Sequence, residues 1–161
     1  MIIEVTMHIT RSNNSEAIMA DNDNNSSEKV FSYSATTDNI KVTAVPNYLE
    51  DESEPKEGEY VWNYNIHIEN LGEKKLTLAS RHWVIIDGKG QVNHVHGEGV
   101  VGQTPTLEPH QGFEYTSGTK LSTPLGMMMG KYHMLDEDGQ SFEVTIPTFS
   151  LHTPDGKKQL H

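Results

Sequence analysis

The stretch RHWVIIDGKGQVNHVH, residues 81–96, decides the fold of this chain. An Asp-Gly pair at positions 87–88 separates two runs of strand-forming residues, which is the strongest short-range signal for a β-hairpin. In the first run Trp83 and Val84 point to opposite faces and are both apolar, which is typical of an interior strand. The sequence therefore predicts a central hairpin, with residues 91–96 as its second strand.

The clearest two-residue period lies upstream, in residues 60–69. Every second residue there is aromatic or Ile, and burying one such side chain stabilises a fold by roughly 1.5–3 kcal/mol. This face is therefore predicted to belong to the core, and it consists of Tyr60, Trp62, Tyr64, Ile66 and Ile68.

Further strands are predicted on both sides of these two elements. The first covers residues 31–49, and its Pro46, which lacks an amide hydrogen, favours a position at a sheet edge. A last hairpin covers residues 126–136 and 141–146, and residues 148–161 are predicted to form an extended tail. About seven short strands joined by Gly and Pro turns, without a stretch of helical spacing, predict an all-β fold: a β-sandwich of antiparallel strands.

The first 30 residues are interpreted as an extension of the domain, which covers residues 31–161. The segment ADNDNNSS at residues 20–27 is too polar to offset the entropy that the chain loses on ordering. Residues 1–30 are therefore predicted to be a disordered polar extension, and Met19 is an alternative start of the chain.

Composition and charge exclude several classes of function. The chain has 12 Lys and Arg against 23 Asp and Glu, a net charge of −11, and no basic stripe, so nucleic acid is not an expected partner. It contains no Cys, which excludes disulfides, thiolate catalysis and cysteine-based zinc sites. No apolar run reaches the roughly 18 residues of a membrane span, and the first residues lack the features of a signal peptide. A cytoplasmic protein without membrane insertion is expected.

Two motifs around the loop after the central hairpin resemble the ApaG family. They are GEGVVG at residues 97–102 and YTSG at residues 115–118. The resemblance covers about residues 35–155, and it implies an immunoglobulin-like or fibronectin type III-like sandwich without a disulfide. Bacterial members of the family are associated with cobalt resistance and magnesium efflux, on which a soluble protein of this kind is expected to act indirectly. The domain also occurs fused within larger eukaryotic proteins, including an F-box protein, which implies a module that recruits partners.

The glycine spacing at residues 97–102 also matches the dinucleotide-binding fingerprint on paper. In a Rossmann unit this turn opens a helix, whose N-terminal amides hold the pyrophosphate. Pro105 and Pro109 prevent such a helix here, and the surrounding segments are strands. The dinucleotide interpretation is therefore disfavoured.

Two other interpretations of this loop stay open. The glycines let a long loop pack closely against the sheet, with Val100 and Val101 as anchors. Alternatively, consecutive backbone amides form a nest for pyrophosphate or a nucleotide. The candidate ligand-binding residues of such a nest are Gly97, Glu98, Gly99 and Gly102.

His94 and His96 are the candidate metal ligands. In a strand, residues i and i+2 project from one face, so both imidazoles can bind one divalent cation. Two ligands do not complete a site, and a third would come from His82, His133, His67 or Glu98 across the sheet. The alternative is a pair of exposed strand histidines beside a polar loop. No cofactor is expected other than such a cation.

Three further motifs have structural explanations. In the methionine run at residues 127–129, Met128 is predicted to pack in the core. The segment DEDG at residues 136–139 is too short for an EF-hand and is interpreted as a hairpin turn. Ser117 and Ser122 lack the context of a nucleophile elbow. Without a base–nucleophile pair, the protein is interpreted as a non-enzyme.

Two functions are compatible with this sequence. The first is a non-enzymatic binding or protein-interaction module that recruits an unidentified protein partner through loops 97–109 and 117–126. The second is a small-ligand binder that takes pyrophosphate, a nucleotide or a divalent cation, through the glycine loop or through the His94/His96 pair. The exposed edge strands of a sandwich are also compatible with a homodimer.

Overall fold

The polypeptide forms β-strands joined by short turns. The computed structural model describes residues 2–3, 30–100 and 102–154. The strands are β1 (Ile2–Ile3), β2 (Tyr33–Thr37), β3 (Ile40–Tyr48), β4 (Tyr60–Asn70), β5 (Leu76–Asp87), β6 (Val92–Glu98), β7 (Thr106–Leu107), β8 (Gly112–Leu121), β9 (Leu125–Asp136) and β10 (Ser141–His152). Two short 3-10 turns, Glu50–Glu52 and Pro55–Glu57, occupy the acidic loop between β3 and β4.

Several expectations concern residues outside the described part of the chain. These are the disordered extension over residues 4–29, the anchoring role of Val101, and the end of the tail beyond residue 154. Ile2–Ile3, which the sequence analysis places in the extension, pair with Thr119 and Gly118 of β8.

The strands form two antiparallel sheets packed face to face. The first sheet has the order β1–β8–β4–β3–β2, and the second has the order β10–β9–β5–β6, with β7 beside the start of β5. The predicted all-β, immunoglobulin-like sandwich is confirmed. The described residues contain ten strands rather than about seven, because two strands have only two residues and one predicted strand is divided. Within the same residues, no helix is long and apolar enough to cross a membrane.

The core lies between the sheets and is rich in aromatic side chains. The face of β4 predicted to be core is buried at four of its five positions, with Tyr60 half-buried at the end. Trp83 of the second sheet packs against Tyr64 of the first, with ring centroids 5.4 Å apart. Met128 is fully buried, as predicted. Each sheet therefore shields the apolar inner face of the other sheet from water.

The predicted strand over residues 31–49 is wrong in its extent. Asp38 and Asn39 have φ angles of 46° and 65°, and a turn there divides the segment into β2 and β3. The predicted edge position is also wrong, since β3 lies between β2 and β4. The pairing of β3 with β2 ends at Ala44. Pro46 lies beyond that point, where its missing amide hydrogen interrupts no bond between these two strands.

The predicted tail from residue 148 is also corrected, because β10 continues to His152. Its register with β9 shifts between Ile146 and Phe149. This irregularity changes which residues face inward, so Ile146, Phe149 and Leu151 are all buried. A strict two-residue period cannot place both Ile146 and Phe149 on the inner face. For this reason the sequence pattern predicts an end of the strand that is earlier than the observed one.

A hydrogen bond between two buried tyrosines joins the sheets. The hydroxyl of Tyr115 in β8 contacts the hydroxyl of Tyr132 in β9. Burial raises the pKa of both phenols well above the ordinary value, so both stay protonated and one donates to the other. A second bond between the sheets runs from Trp62 Nε1 to the carbonyl oxygen of His152, at 3.1 Å.

We predict that Tyr115→Phe and Tyr132→Phe each lower the free energy of unfolding by about 1–3 kcal/mol. Each single substitution leaves one buried hydroxyl without its partner. The double variant should lose less than the sum, because both hydroxyls of the pair are then gone and neither leaves the other unpaired. Urea unfolding of the four proteins completes the double-mutant cycle. Additive losses would show that this bond does not stabilise the fold.

Candidate metal-binding site

Three histidines meet on the outer face of the second sheet. They are His82 of β5 and the pair His94 and His96 of β6. The strand register sets His96 directly opposite His82, and His94 opposite Val84. Because side chains alternate along a strand, these positions share one face. The cluster therefore follows from the pairing of two neighbouring strands.

An irregularity in β5 decides which face His82 occupies. The register with β9 shifts between Leu78 and Ser80. Leu78 and Trp83 are both buried although they are five residues apart, because the extra residue resets the alternation. His82, next to Trp83, consequently points outward.

The three imidazoles are close enough to bind one ion. One ring nitrogen from each histidine lies within 4.8 Å of the others. Nε2 of His82 and Nδ1 of His94 are 3.0 Å apart, and the rings of His82 and His96 stack with centroids 4.0 Å apart. Two nitrogens that bind one tetrahedral ion at about 2.0–2.1 Å are roughly 3.3 Å apart. The nitrogens of His82 and His94 are already near this spacing, and side-chain rotation would have to bring a nitrogen of His96 to the same ion.

The structure also places the other residues considered as a third ligand. His82 supplies the third imidazole of the cluster. His133 and Glu98 line an adjacent depression, whereas His67 belongs to β4 in the opposite sheet. Only one of the four candidates named from the sequence therefore joins the pair.

The depression beside the histidines is open and has a volume of about 480 Å³. Lys131 of β9 donates a hydrogen bond to Glu143 of β10, with Nζ and Oε2 3.1 Å apart. This bond and the charge of Lys131 lower the pKa of Glu143, which keeps its carboxyl ionised. The lining includes His82, His96, Glu98, Lys131, His133 and Glu143.

The surroundings of His82 favour the neutral imidazole that a metal ion requires. Desolvation lowers its pKa, and the positive charges that His96, His94 and Lys131 carry when protonated lower it further. A neutral ring keeps a lone pair for a cation. His82 therefore binds a proton more readily in the unfolded chain than in the folded one. The stability that His82 contributes is consequently lost as the pH falls below the ordinary pKa of histidine.

The glycine loop begins where β6 ends, and most of its described amides are already hydrogen-bonded. The amide of Gly99 donates to the carbonyl of Ala79 at 2.7 Å. The amides of Val100 and Gln103 each donate to the other's carbonyl, at 2.8 and 3.0 Å. Val100 is fully buried and anchors the loop, as the packing interpretation expects. One of these amides therefore binds β5 and the other two bind within the loop, which favours packing over an anion nest.

Arg81 is the residue of this region that sequence reasoning missed. Its Nη1 donates to the carbonyl oxygens of Glu98 and Gly99, at 3.1 and 2.8 Å. A Cβ at Gly97 would lie 2.8 Å from the same nitrogen. Gly97 therefore makes room for the guanidinium that holds the end of β6. The local sequence gives no signal of this role, because the irregularity in β5 decides that Arg81 points inward and that His82 points outward.

Fold and site together define a small β-sandwich domain with a glycine-rich loop and a histidine cluster on paired strands. The ApaG domain family matches residues 50–136 of the chain. Protein ApaG of Azorhizobium caulinodans is 53% identical over 122 residues, which cover 76% of this chain and 94% of that protein. Protein ApaG of Xanthobacter autotrophicus is 48% identical over 129 residues, covering 80% of this chain and 99% of that one.

Solved structures give the same result. The crystal structure of the putative ApaA protein from Bordetella pertussis superposes with a TM-score of 0.70 at 45% identity. The match covers 71% of this chain and 94% of that chain. The chain belongs to the ApaG family.

We predict that Gly99→Ala destabilises the fold much more than Gly102→Ala. Both glycines have positive φ, 57° and 73°, so both substitutions pay a similar backbone cost. A Cβ at Gly99 would lie 1.9 Å from the carbonyl oxygen of Gln103, whereas a Cβ at Gly102 meets nothing within 4 Å. The expected difference in unfolding free energy is about 1–3 kcal/mol. Equal losses in urea unfolding would contradict the packing role of Gly99.

We also predict that His82 of the metal-free protein titrates below pH 6.5, the ordinary value for imidazole. The His94→Asn/His96→Asn double variant should raise this midpoint, because it removes two neighbouring positive charges. An NMR titration of the imidazole protons measures both values. A midpoint at or above 6.5 in the native protein would contradict the described surroundings of His82.

Proposed function

We propose that this ApaG-family protein is a non-enzymatic binding module whose ligand is a divalent transition-metal cation. The observation that carries this proposal is the convergence of His82, His94 and His96, whose ring nitrogens lie within 4.8 Å of one another. All three belong to paired strands rather than to a loop, so the sheet holds their backbones in place.

The donor atoms indicate the class of metal. Neutral imidazole suits zinc, copper, nickel and cobalt, whereas magnesium prefers oxygen ligands in an octahedron. The resemblance to the family implied a link to cobalt resistance and to magnesium efflux. In our proposal the cobalt link reflects direct binding at the three histidines, and the magnesium link is indirect. The net charge of −11 supports the proposal, since it raises the local concentration of cations.

The cation is a better-supported ligand than pyrophosphate or a nucleotide held by the glycine loop. The loop amides of Gly99, Val100 and Gln103 already donate to backbone carbonyls. An anion there would have to break bonds that shape the loop, whereas a cation at the histidines replaces the hydrogen bond between His82 and His94.

Of the two serines considered for catalysis, Ser117 of β8 is 5% exposed, which does not suit a nucleophile, whereas Ser122 is exposed. The histidine cluster lies on an open face, with His94 and His96 exposed to solvent. We place this activity in the cytoplasm, because a chain without cysteines forms no disulfides and needs no oxidising compartment.

Recruitment of a protein partner is a second candidate, and the edge of β6 favours it. In the described residues β6 pairs with β5 alone, so its other edge presents backbone groups to solvent. Val92, at the start of this strand, is 48% exposed. Exposed edges accept an added strand. A pull-down from native lysate that returns no reproducible partner would count against this candidate.

We predict that the full-length protein binds Co²⁺ or Ni²⁺ in calorimetry and that Mg²⁺ at the same concentration gives no heat beyond dilution. His94→Asn/His96→Asn should weaken Co²⁺ binding at least about 10-fold, since it removes two of three ligands. His110→Asn is the matched control, because His110 is exposed, lies away from the cluster and has a φ of 65°, which Asn tolerates. Unchanged Co²⁺ affinity in the double variant would refute the site.

A further inference from the structure

We propose that the three-histidine site keeps one coordination position open and that, once loaded with metal, it binds a small oxyanion together with Lys131. The oxyanion is a phosphate or a carboxylate. This inference rests on the metal binding proposed above and names the second ligand of the same site.

The open position follows from the arrangement of the ligands. All three imidazoles rise from one face of the β5–β6 pair, so they cover one side of an ion and leave the outer side to solvent. His94 and His96 are themselves exposed. A metal ion with three histidine ligands takes its fourth ligand from water or from another small molecule.

There is room for that ligand next to the cluster. His82 and His96 form part of the wall of the 480 Å³ depression, and Lys131, His133 and Glu143 form part of the remaining wall. A group bound to the metal from this side would extend into the depression.

The charges of the lining become attractive to an anion when a metal binds. Without metal, the outward-facing side chains of the lining carry one positive charge, on Lys131, and two negative charges, on Glu98 and Glu143. The histidines add no charge when they bind as neutral ligands, so a divalent ion adds two positive charges. The depression thus changes from a net negative to a net positive charge, which favours an anion over a second cation.

Lys131 is the side chain placed to complete the anion site. It lies opposite His82 in the β5–β9 register. Its bond to Glu143 joins two side chains that are 56% and 50% exposed. Exposed ion pairs of this kind contribute little, so Lys131 can exchange this partner for an anion at small cost. Arg81, in contrast, already holds the carbonyls of Glu98 and Gly99.

The test uses the full-length protein loaded with Co²⁺ in a buffer without coordinating anions. The visible absorption of Co²⁺ reports its ligands, so exchange of the fourth ligand changes the spectrum. Inorganic phosphate and acetate are titrated separately into the loaded protein, and the same titrations are followed by calorimetry without metal. We expect a saturable spectral change with at least one anion, and binding at least about 10-fold weaker without metal.

Two lysine variants test the second contact. Lys131→Gln should weaken anion binding roughly 2- to 5-fold, as expected for an exposed ion pair. Lys120→Gln is the matched control, because Lys120 forms a similar pair with Glu59 at 2.8 Å on the opposite sheet. Equal anion affinity in the two variants would overturn the role of Lys131.

The outcomes separate this inference from the proposed function. If Co²⁺ does not bind at the histidines, the proposed function fails, and this inference fails with it. If Co²⁺ binds and neither anion changes its spectrum, the metal site stands and the open position is refuted. A response to phosphate alone assigns the second ligand to phosphate compounds, and a response to acetate alone assigns it to carboxylates.

Discussion

The turn between β5 and β6 is the constraint on which the rest of the site depends. The Oδ1 atom of Asp87 accepts hydrogen bonds from the amides of Lys89 and Gln91, both at 2.9 Å. The amide of Gly88 donates to Thr123 Oγ1 at 2.8 Å, which ties the turn to the loop between β8 and β9. A slip of one residue in this pairing would turn every side chain of β6 to the other face. The turn therefore decides that the histidines of β6 meet His82.

The glycine motif and the histidine pair belong to one structure rather than two. Both depend on β5, which carries Arg81 inward and His82 outward in succession. Arg81 holds the carbonyls at the end of β6 and the start of the loop, while His82 stacks on His96 two residues before that end. The glycines thus support the edge of the sheet on which the histidines lie. This physical link explains the motif without requiring that the loop itself bind a ligand.

Much of the architecture was predictable because inward-facing and outward-facing side chains alternate along each strand. The period of β4 predicts which residues face the second sheet, and the Asp-Gly pair predicts the central hairpin. The predictions failed where the alternation breaks or where a turn lacks a strong signal. The turn at Asp38–Asn39 carries no glycine, and the irregularity between Ile146 and Phe149 makes two inward residues fall an odd number of positions apart.

By itself the sequence determined the all-β class, the hairpin and the fact that His94 and His96 share a face, since all three follow from the local spacing of side chains. Only the tertiary structure decided that His82 completes the cluster, that His67 does not, and that the loop amides are already bonded. The physical reason is that pairing register and strand irregularities join residues that are distant in the chain. Local spacing says which way a side chain points, but not which side chain it meets.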